Sequence, residues 1–357
     1  MPPTPSRSPK FARRAFRWTL VAFLALQVLL SLVVEVWHPE LADPQYGHRL
    51  KVLRAKRAAE PDRPLVLALG SSRTEVALRP SYLADGPRDP LVFNMARGGV
   101  SQVMNLLVLE RLLADGVRPD LLLLEVLPSS LAEEGWGTTT PAVTFRDLPE
   151  SVRYPIGGKA YFYLLKARAL PVHKYRRGLM QAYGPPGAPA NPDATMWDDT
   201  GAGTVMIPEE AKPDQRLRGT HFARGQYLNK LRAYHIAPAA DRATRAFLAR
   251  CRTERIPVVL YLMPESNEFR SWYPPEALRT LDGYLADLRR EFPLPLVDAR
   301  TWLPDEVFWD GHHVLKRGAH AFTTRFANEV ITPAMRAGLA ARGGASRPGP
   351  EPLPGGS

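Results

Sequence analysis

The sequence predicts a three-layer α/β domain, a doubly wound parallel sheet of about five strands, carried behind one N-terminal transmembrane helix. Three observations predict it. Apolar runs at Leu65–Leu69, Leu91–Asn94, Leu121–Leu127, Pro257–Met263 and Leu296–Asp298 have the unbroken hydrophobicity of strands covered on both faces. Helical patterns alternate with them over Val100–Ala114, Ala240–Thr253 and Pro275–Glu291, the last with proline near its start. Such alternation places helices on both sides of a parallel sheet. Ahead of all this, Trp18 to Val34 carries no charge and is long enough to cross a hydrocarbon core.

Taken in order, residues 1–17 form a basic N-terminus and 18–36 the membrane span, with Trp18 and Trp37 at its two ends where aromatic belts lie. Arg7, Lys10, Arg13, Arg14 and Arg17 precede the span, and Glu35, His38 and Glu40 follow it. That asymmetry predicts a cytoplasmic N-terminus and a main domain outside, in the periplasm. A cleaved signal peptide is the competing reading, but Glu40-Leu-Ala42 is a poor small-x-small site. Residues 37–62 read as a polar, helix-leaning stalk, and 63–335 as the domain. The gap between the third and fourth strands is too long for a simple crossover, so about 131–239 is an insertion. It holds a helix-like stretch, Lys159–Ala182, a Gly/Pro-rich segment from Tyr183 to Pro192, and an irregular run through Gly219. A lid or substrate wall and a disordered surface loop are both open for it, the latter for 184–216. The tail, 336–357, ends in Gly, Pro and Ser and is expected to be disordered.

Composition excludes several classes. The net charge of +11, from 47 basic and 36 acidic residues in 357, is spread out once the N-terminal cluster is set aside. A nucleic-acid partner needs a concentrated basic stripe, so none is expected. One cysteine, Cys251, permits no intramolecular disulfide and reads as a small buried hydrophobe. Neither Gly-x-x-x-x-Gly-Lys nor Gly-x-Gly-x-x-Gly occurs, and no cofactor is implied.

Two segments carry chemistry. The first strand breaks into Gly70-Ser71-Ser72, at the carboxyl end of a strand where α/β sheets bind ligands. A serine there has an exposed hydroxyl beside the backbone N–H groups that open the next helix; alone, it would equally read as a helix cap. Near the other end, Asp310-x-x-His313 places a carboxylate where it can hold an imidazole in the tautomer that accepts a serine proton. His312 is the rival base. Asp310, His312, His313 and His320 also offer metal-ligand types, without a His-x-x-x-His pair. Nucleophile, base and base-orienting group are the three parts of hydroxyl-based acyl transfer.

With these residues in place the chain resembles the SGNH (GDSL-type) hydrolase superfamily, whose fold is flavodoxin-like. Gly70-Ser71-Ser72 is similar to the family's first block, with serine in place of aspartate, which makes Ser72 the nucleophile. Asp310 and His313 match the last block, and Gly318 its usual continuation. The second block is similar to Asn94-Met-Ala-Arg-Gly98-Gly99, so Gly99, with the Ser72 N–H, would hold an oxyanion. The third block, normally Gly-x-Asn-Asp, departs to Leu127-Pro-Ser129-Ser130, leaving Ser129 or Ser130 as the nearby substitute for the asparagine. The anchor and insertion resemble the DltD-like and AlgJ-like groups of envelope acyl-modification proteins. The resemblance implies a membrane-anchored serine esterase or O-acyltransferase acting on acyl esters of an envelope carbohydrate, with a possible membrane-bound acyl-donor partner. Arg73, Asn94 and Arg270 are candidate substrate contacts. A scaffold on the same fold, without catalysis, is the alternative.

Overall fold

The computed structural model describes residues 9–38, 41, 43–86, 89–135, 143–154, 196–203 and 208–343, with isolated positions at 162, 171, 175, 176, 179, 180, 184 and 185. Most of the expected helix Lys159–Ala182, the Gly/Pro segment and residues 344–357 therefore lie outside the described residues. Strands β1 (Leu65–Leu69), β2 (Leu91–Asn94), β3 (Leu121–Glu125), β4 (Val258–Leu262) and β5 (Leu296–Asp298) form one wholly parallel sheet in the order β2-β1-β3-β4-β5. Register pairs Val66 with Val92 and with Leu121, and Tyr261 with Val297.

The helices run α1 (Pro9–Trp37), α2 (Pro44–Ala59), α3 (Ser72–Ala77), α4 (Gln102–Ala114), α5 (Pro128–Leu131), α6 (Leu148–Arg153), α7 (Pro213–Arg232), α8 (Pro238–Thr253), α9 (Asn267–Arg270), α10 (Pro275–Glu291), α11 (Lys316–Phe326) and α12 (Thr332–Gly343). Because successive strand residues point to opposite faces, the sheet fills two cores. Leu65, Leu67, Leu69, Phe93, Leu122, Leu124 and Leu260 face α2, α4, α8 and α10. Val66, Ala68, Val92, Leu123, Val259 and Tyr261 face α11 and α12, which a π-helical turn, Ala327–Ile331, joins. Cys251 is buried in the first core.

Three parts differ from the sequence reading. The stalk is not a free spacer: α2 lays Tyr46, Leu50 and Leu53 into the first core, a helical i, i+4, i+7 stripe inside a polar segment. Burying the two leucines alone stabilises that docking by roughly 3–6 kcal/mol. Arg49, 2% exposed, fixes it by donating to the carbonyls of Ala96 (2.5 Å) and Asn94 (3.5 Å). Second, the end of the insertion is regular, since α7 begins at Pro213, where an irregular run was expected. Its buried residues, Gly219, Ala223 and Leu231, recur every four or eight positions among charged neighbours, so the stripe is narrow. Third, helix continues to Gly343, beyond residue 336, because Met335 still packs into the second core.

Helix α1 is long and apolar enough to cross a membrane, with a mean hydropathy of 2.3 over its most apolar window. Near its end Val34 packs on Tyr175, whose hydroxyl donates to Glu35 Oε1 at 3.3 Å.

Candidate active site

Gly70 follows β1, and Ser71 caps α3 by accepting from the Arg73 N–H at 3.2 Å, so Ser72 is the first residue of the helix. Beneath this turn lies Glu125, the last residue of β3 and 1% exposed. Its Oε2 accepts from the Ser71 N–H (2.6 Å) and the Thr74 hydroxyl (2.7 Å), and its Oε1 from the Ser71 hydroxyl (2.8 Å). The Thr74 proton is thereby used, so Tyr261 donates its own to Thr74 Oγ1 at 2.8 Å. Gly70 is required by this approach: a Cβ there would stand 2.5 Å from Glu125 Oε2.

The second segment is a tight turn. Phe308 and Val314 pair as an antiparallel bridge, Trp309 N–H donates to the His313 carbonyl at 3.0 Å, and Gly311 reverses the chain at φ +91°. That reversal folds Asp310 back over the residues after it. Its Oδ1 accepts from the N–H groups of His312 (3.1 Å) and His313 (2.7 Å), and its Oδ2 from His313 Nδ1 at 2.7 Å. The proton held on Nδ1 leaves Nε2 as the acceptor, 2.8 Å from Ser72 Oγ. Burial alone would raise the Asp310 carboxyl. The imidazoles of His313 and His312 and the bonds it accepts outweigh that and hold it well below the usual carboxylate range.

Ser72, His313 and Asp310 thus stand in one hydrogen-bonded line. His312 does not join it. Its ring is buried against Phe269 (5.2 Å between centroids), Tyr227 of α7 (4.9 Å) and His313 (4.0 Å). Burial first, then neighbouring His313, pushes its imidazole well below the ordinary value, so it stays neutral. The candidate ligand atoms of Asp310, His312 and His313 lie within 4.8 Å of one another, but both His313 nitrogens already serve the line to Ser72. His320 stands elsewhere, against Tyr82.

The remaining candidates divide. Gly99 is exposed, with φ +68°, on the loop after β2; a methyl at its neighbour Gly98 would touch Ser72 Cβ at 3.6 Å, which places this loop beside the serine. The Gly98 N–H is taken by Glu75 Oε2 at 2.9 Å. Ser129 is buried in the single turn α5, while the Ser130 hydroxyl donates to the Leu127 carbonyl and accepts from Gln102.

The three expected substrate contacts are each bonded within the protein. Asn94 is wholly buried, and its amide group donates to the carbonyls of Thr74 (2.9 Å) and Leu78 (2.7 Å), tying β2 to α3. Arg73, 2% exposed, pairs through Nη1 with Glu265 at 2.8 Å and stacks over Phe269 at 4.7 Å, so its charge is held inside the protein. Arg270 donates to the carbonyls of Arg300 (2.8 Å) and Glu265, which makes it a clasp for its own loop.

Sequence reading missed Glu125 and Glu265. The signal was present for the first: a single acid ending Leu121-Leu-Leu-Leu-Glu125, at a position both faces cover, must be met by buried donors.

No family model matches the chain, and no curated protein matches it in sequence. Among solved structures, an esterase, AlinE4 in a mutant form, is similar over 76% of this chain and 96% of its own, with 14% identity and a TM-score of 0.30. A likeness at that level carries no chemistry to this protein, whose functional reading rests on its own site.

Proposed function

We propose that this protein is a membrane-anchored SGNH-type serine esterase or O-acyltransferase, working outside the cytoplasm on acyl esters of an envelope carbohydrate. The observation that carries the reading is the continuous line from Ser72 Oγ to His313 Nε2 (2.8 Å) and from His313 Nδ1 to Asp310 (2.7 Å). Ser72 donates its proton to Nε2 as its oxygen attacks the ester carbonyl. The imidazolium that forms is stabilised by the Asp310 carboxylate, which stays ionised because its proton affinity is depressed. Backbone N–H groups of Ser72, at the start of α3, and of Gly99 hold the tetrahedral oxyanion. His313 then returns the proton to the departing alcohol, leaving acyl-Ser72. Water or a sugar hydroxyl attacks that ester in turn, giving hydrolysis or transfer. Helix α1, apolar and uncapped by charge between Trp18 and Val34, supports the anchor, and a membrane-held acyl donor fits this placement.

A second reading, a scaffold without turnover, is favoured by one feature only: α5 replaces the family's asparagine donor with a turn whose Ser130 is already bonded inward. Losing one oxyanion donor costs roughly 10²–10³ in rate, which slows a triad without abolishing it. The test is hydrolysis of a chromogenic acetyl ester by the full chain in detergent micelles, with and without an oligosaccharide acceptor. Turnover that disappears in Ser72→Ala supports the enzyme; equal rates in wild type and Ser72→Ala refute it.

A further inference from the structure

Glu125 lies outside the line of Ser72, His313 and Asp310, yet its bonds end on both sides of Ser72. It holds residue 71 through two donors and residue 74 through one, and Tyr261 completes the set by donating to Thr74. Glu125, Thr74 and Tyr261 are each 1% exposed or less, and Ser71 is 3% exposed. A buried polar network whose members all find partners is rigid, and one left incomplete is costly.

We infer that Glu125 is the positioning residue of the nucleophile turn: a carboxylate on β3 that sets the direction of Ser72 from below. This rests on Ser72 being the nucleophile. Three consequences follow from the geometry. The turn is held through main chain and side chain at once, so Ser72 Cα cannot swing without breaking a charge-assisted bond. The Ser71 N–H is spent on Glu125, whereas among the described residues nothing accepts the Ser72 N–H, which leaves that donor to the oxyanion. The close passage of the carboxylate under Gly70 also fixes the height of the turn relative to His313, which approaches from a different loop. Serine at 71 and glutamate at 125 then form one unit. The short hydroxyl is both the cap of α3 and a donor to the carboxylate, 2.8 Å away, and a longer carboxylate at 71 would be driven against the first.

The experiment compares wild type, Glu125→Gln, Ser71→Ala and Ser71→Asp as full chains in micelles. Each is treated with a fluorophosphonate, and the labelling rate of Ser72 per folded molecule is read by intact mass, alongside kcat and KM for an acetyl ester. Glu125→Gln keeps the volume but replaces one acceptor oxygen with a donor facing donors. Its labelling rate and kcat should fall about 10- to 100-fold with KM unchanged, the factor that misplacing a nucleophile commonly costs. Ser71→Ala removes one of the three bonds and should lose less. Ser71→Asp should lose at least as much as Glu125→Gln, and the double variant Ser71→Asp with Glu125→Gln, which restores one carboxylate to the unit, should recover part of the rate. Labelling of Glu125→Gln within threefold of wild type, even with a lowered melting temperature, overturns the positioning role and leaves the nucleophile reading intact. A folded wild type that takes no probe defeats the nucleophile reading itself, and this role with it. Should Glu125→Gln fail to fold, the Ser71 pair decides: unchanged labelling in both overturns the inference.

Discussion

Replacing Asp310 with asparagine changes one atom and should silence Ser72 while leaving the turn in place. Asp310 accepts three bonds, two from main-chain N–H groups on Oδ1 and one from His313 Nδ1 on Oδ2. Asparagine can keep its oxygen on the two main-chain donors, so the loop closed by the Phe308–Val314 bridge survives. Its amide nitrogen then faces His313 Nδ1 and donates to it. The imidazole proton moves to Nε2, which now donates toward Ser72 Oγ instead of accepting from it. The same inversion in a serine triad costs about 10⁴ in kcat, equivalent to about 5 kcal/mol of barrier. The assay is ester turnover and fluorophosphonate labelling of the full-length variant, with thermal unfolding run beside it. A melting temperature near wild type with a rate down three to four decades agrees with the reasoning. A rate within tenfold of wild type refutes it, because Asp310 would then not be setting the tautomer.

Four other outcomes follow from contacts already described. Leu53→Ala in α2, a side chain with no exposed surface, should destabilise the domain by about 2–5 kcal/mol, read as a lower melting temperature; no change would restore the segment to a free spacer. Arg73→Met strands the buried Glu265 carboxylate and should cost about 3–5 kcal/mol in chemical denaturation, while Arg73→Met with Glu265→Leu should be more stable than either single variant. His312 is held neutral in the fold but takes a proton in the unfolded chain below about pH 6.5, so stability should fall as the pH drops, by up to about 2 kcal/mol at pH 5. His312→Gln should flatten that slope in denaturation curves between pH 5 and 6.5. Asp310 acts in a lower window: its depressed affinity contributes stability above about pH 4 that is lost in stronger acid.

Much of the fold was legible because covered strands and their crossover helices write plain patterns. Runs such as Leu65–Leu69 and Val258–Leu262 have no other economical reading, and the sheet places them in order around β1. The Asp310–His313 pair was legible for a local reason: the two are three residues apart on one turn, so their meeting needs no long-range information, whereas Ser72, 241 residues from His313, was joined to them only through the resemblance. Partners that meet only through the fold, with no motif to link them, were not readable. Arg73 and Glu265 are 192 residues apart, and an arginine beside a nucleophile looks like a substrate contact until its buried carboxylate is seen. Asn94 misled similarly, since an amide that ties a strand to a helix and one that faces a ligand share the same sequence position. Helix α2 was read as stalk because its apolar stripe is three residues in sixteen, too narrow to outweigh the lysines and arginines around it. Helix α7 was missed for the same cause, its inward face being glycine and alanine where it packs closest.

The most direct measurement of the central claim is intact-mass labelling of the full chain with a fluorophosphonate, wild type beside Ser72→Ala and His313→Ala. One adduct on the wild type, mapped to Ser72 and absent from both variants, is the result this account predicts. An adduct that persists in Ser72→Ala, or none on a well-folded wild type, would contradict it.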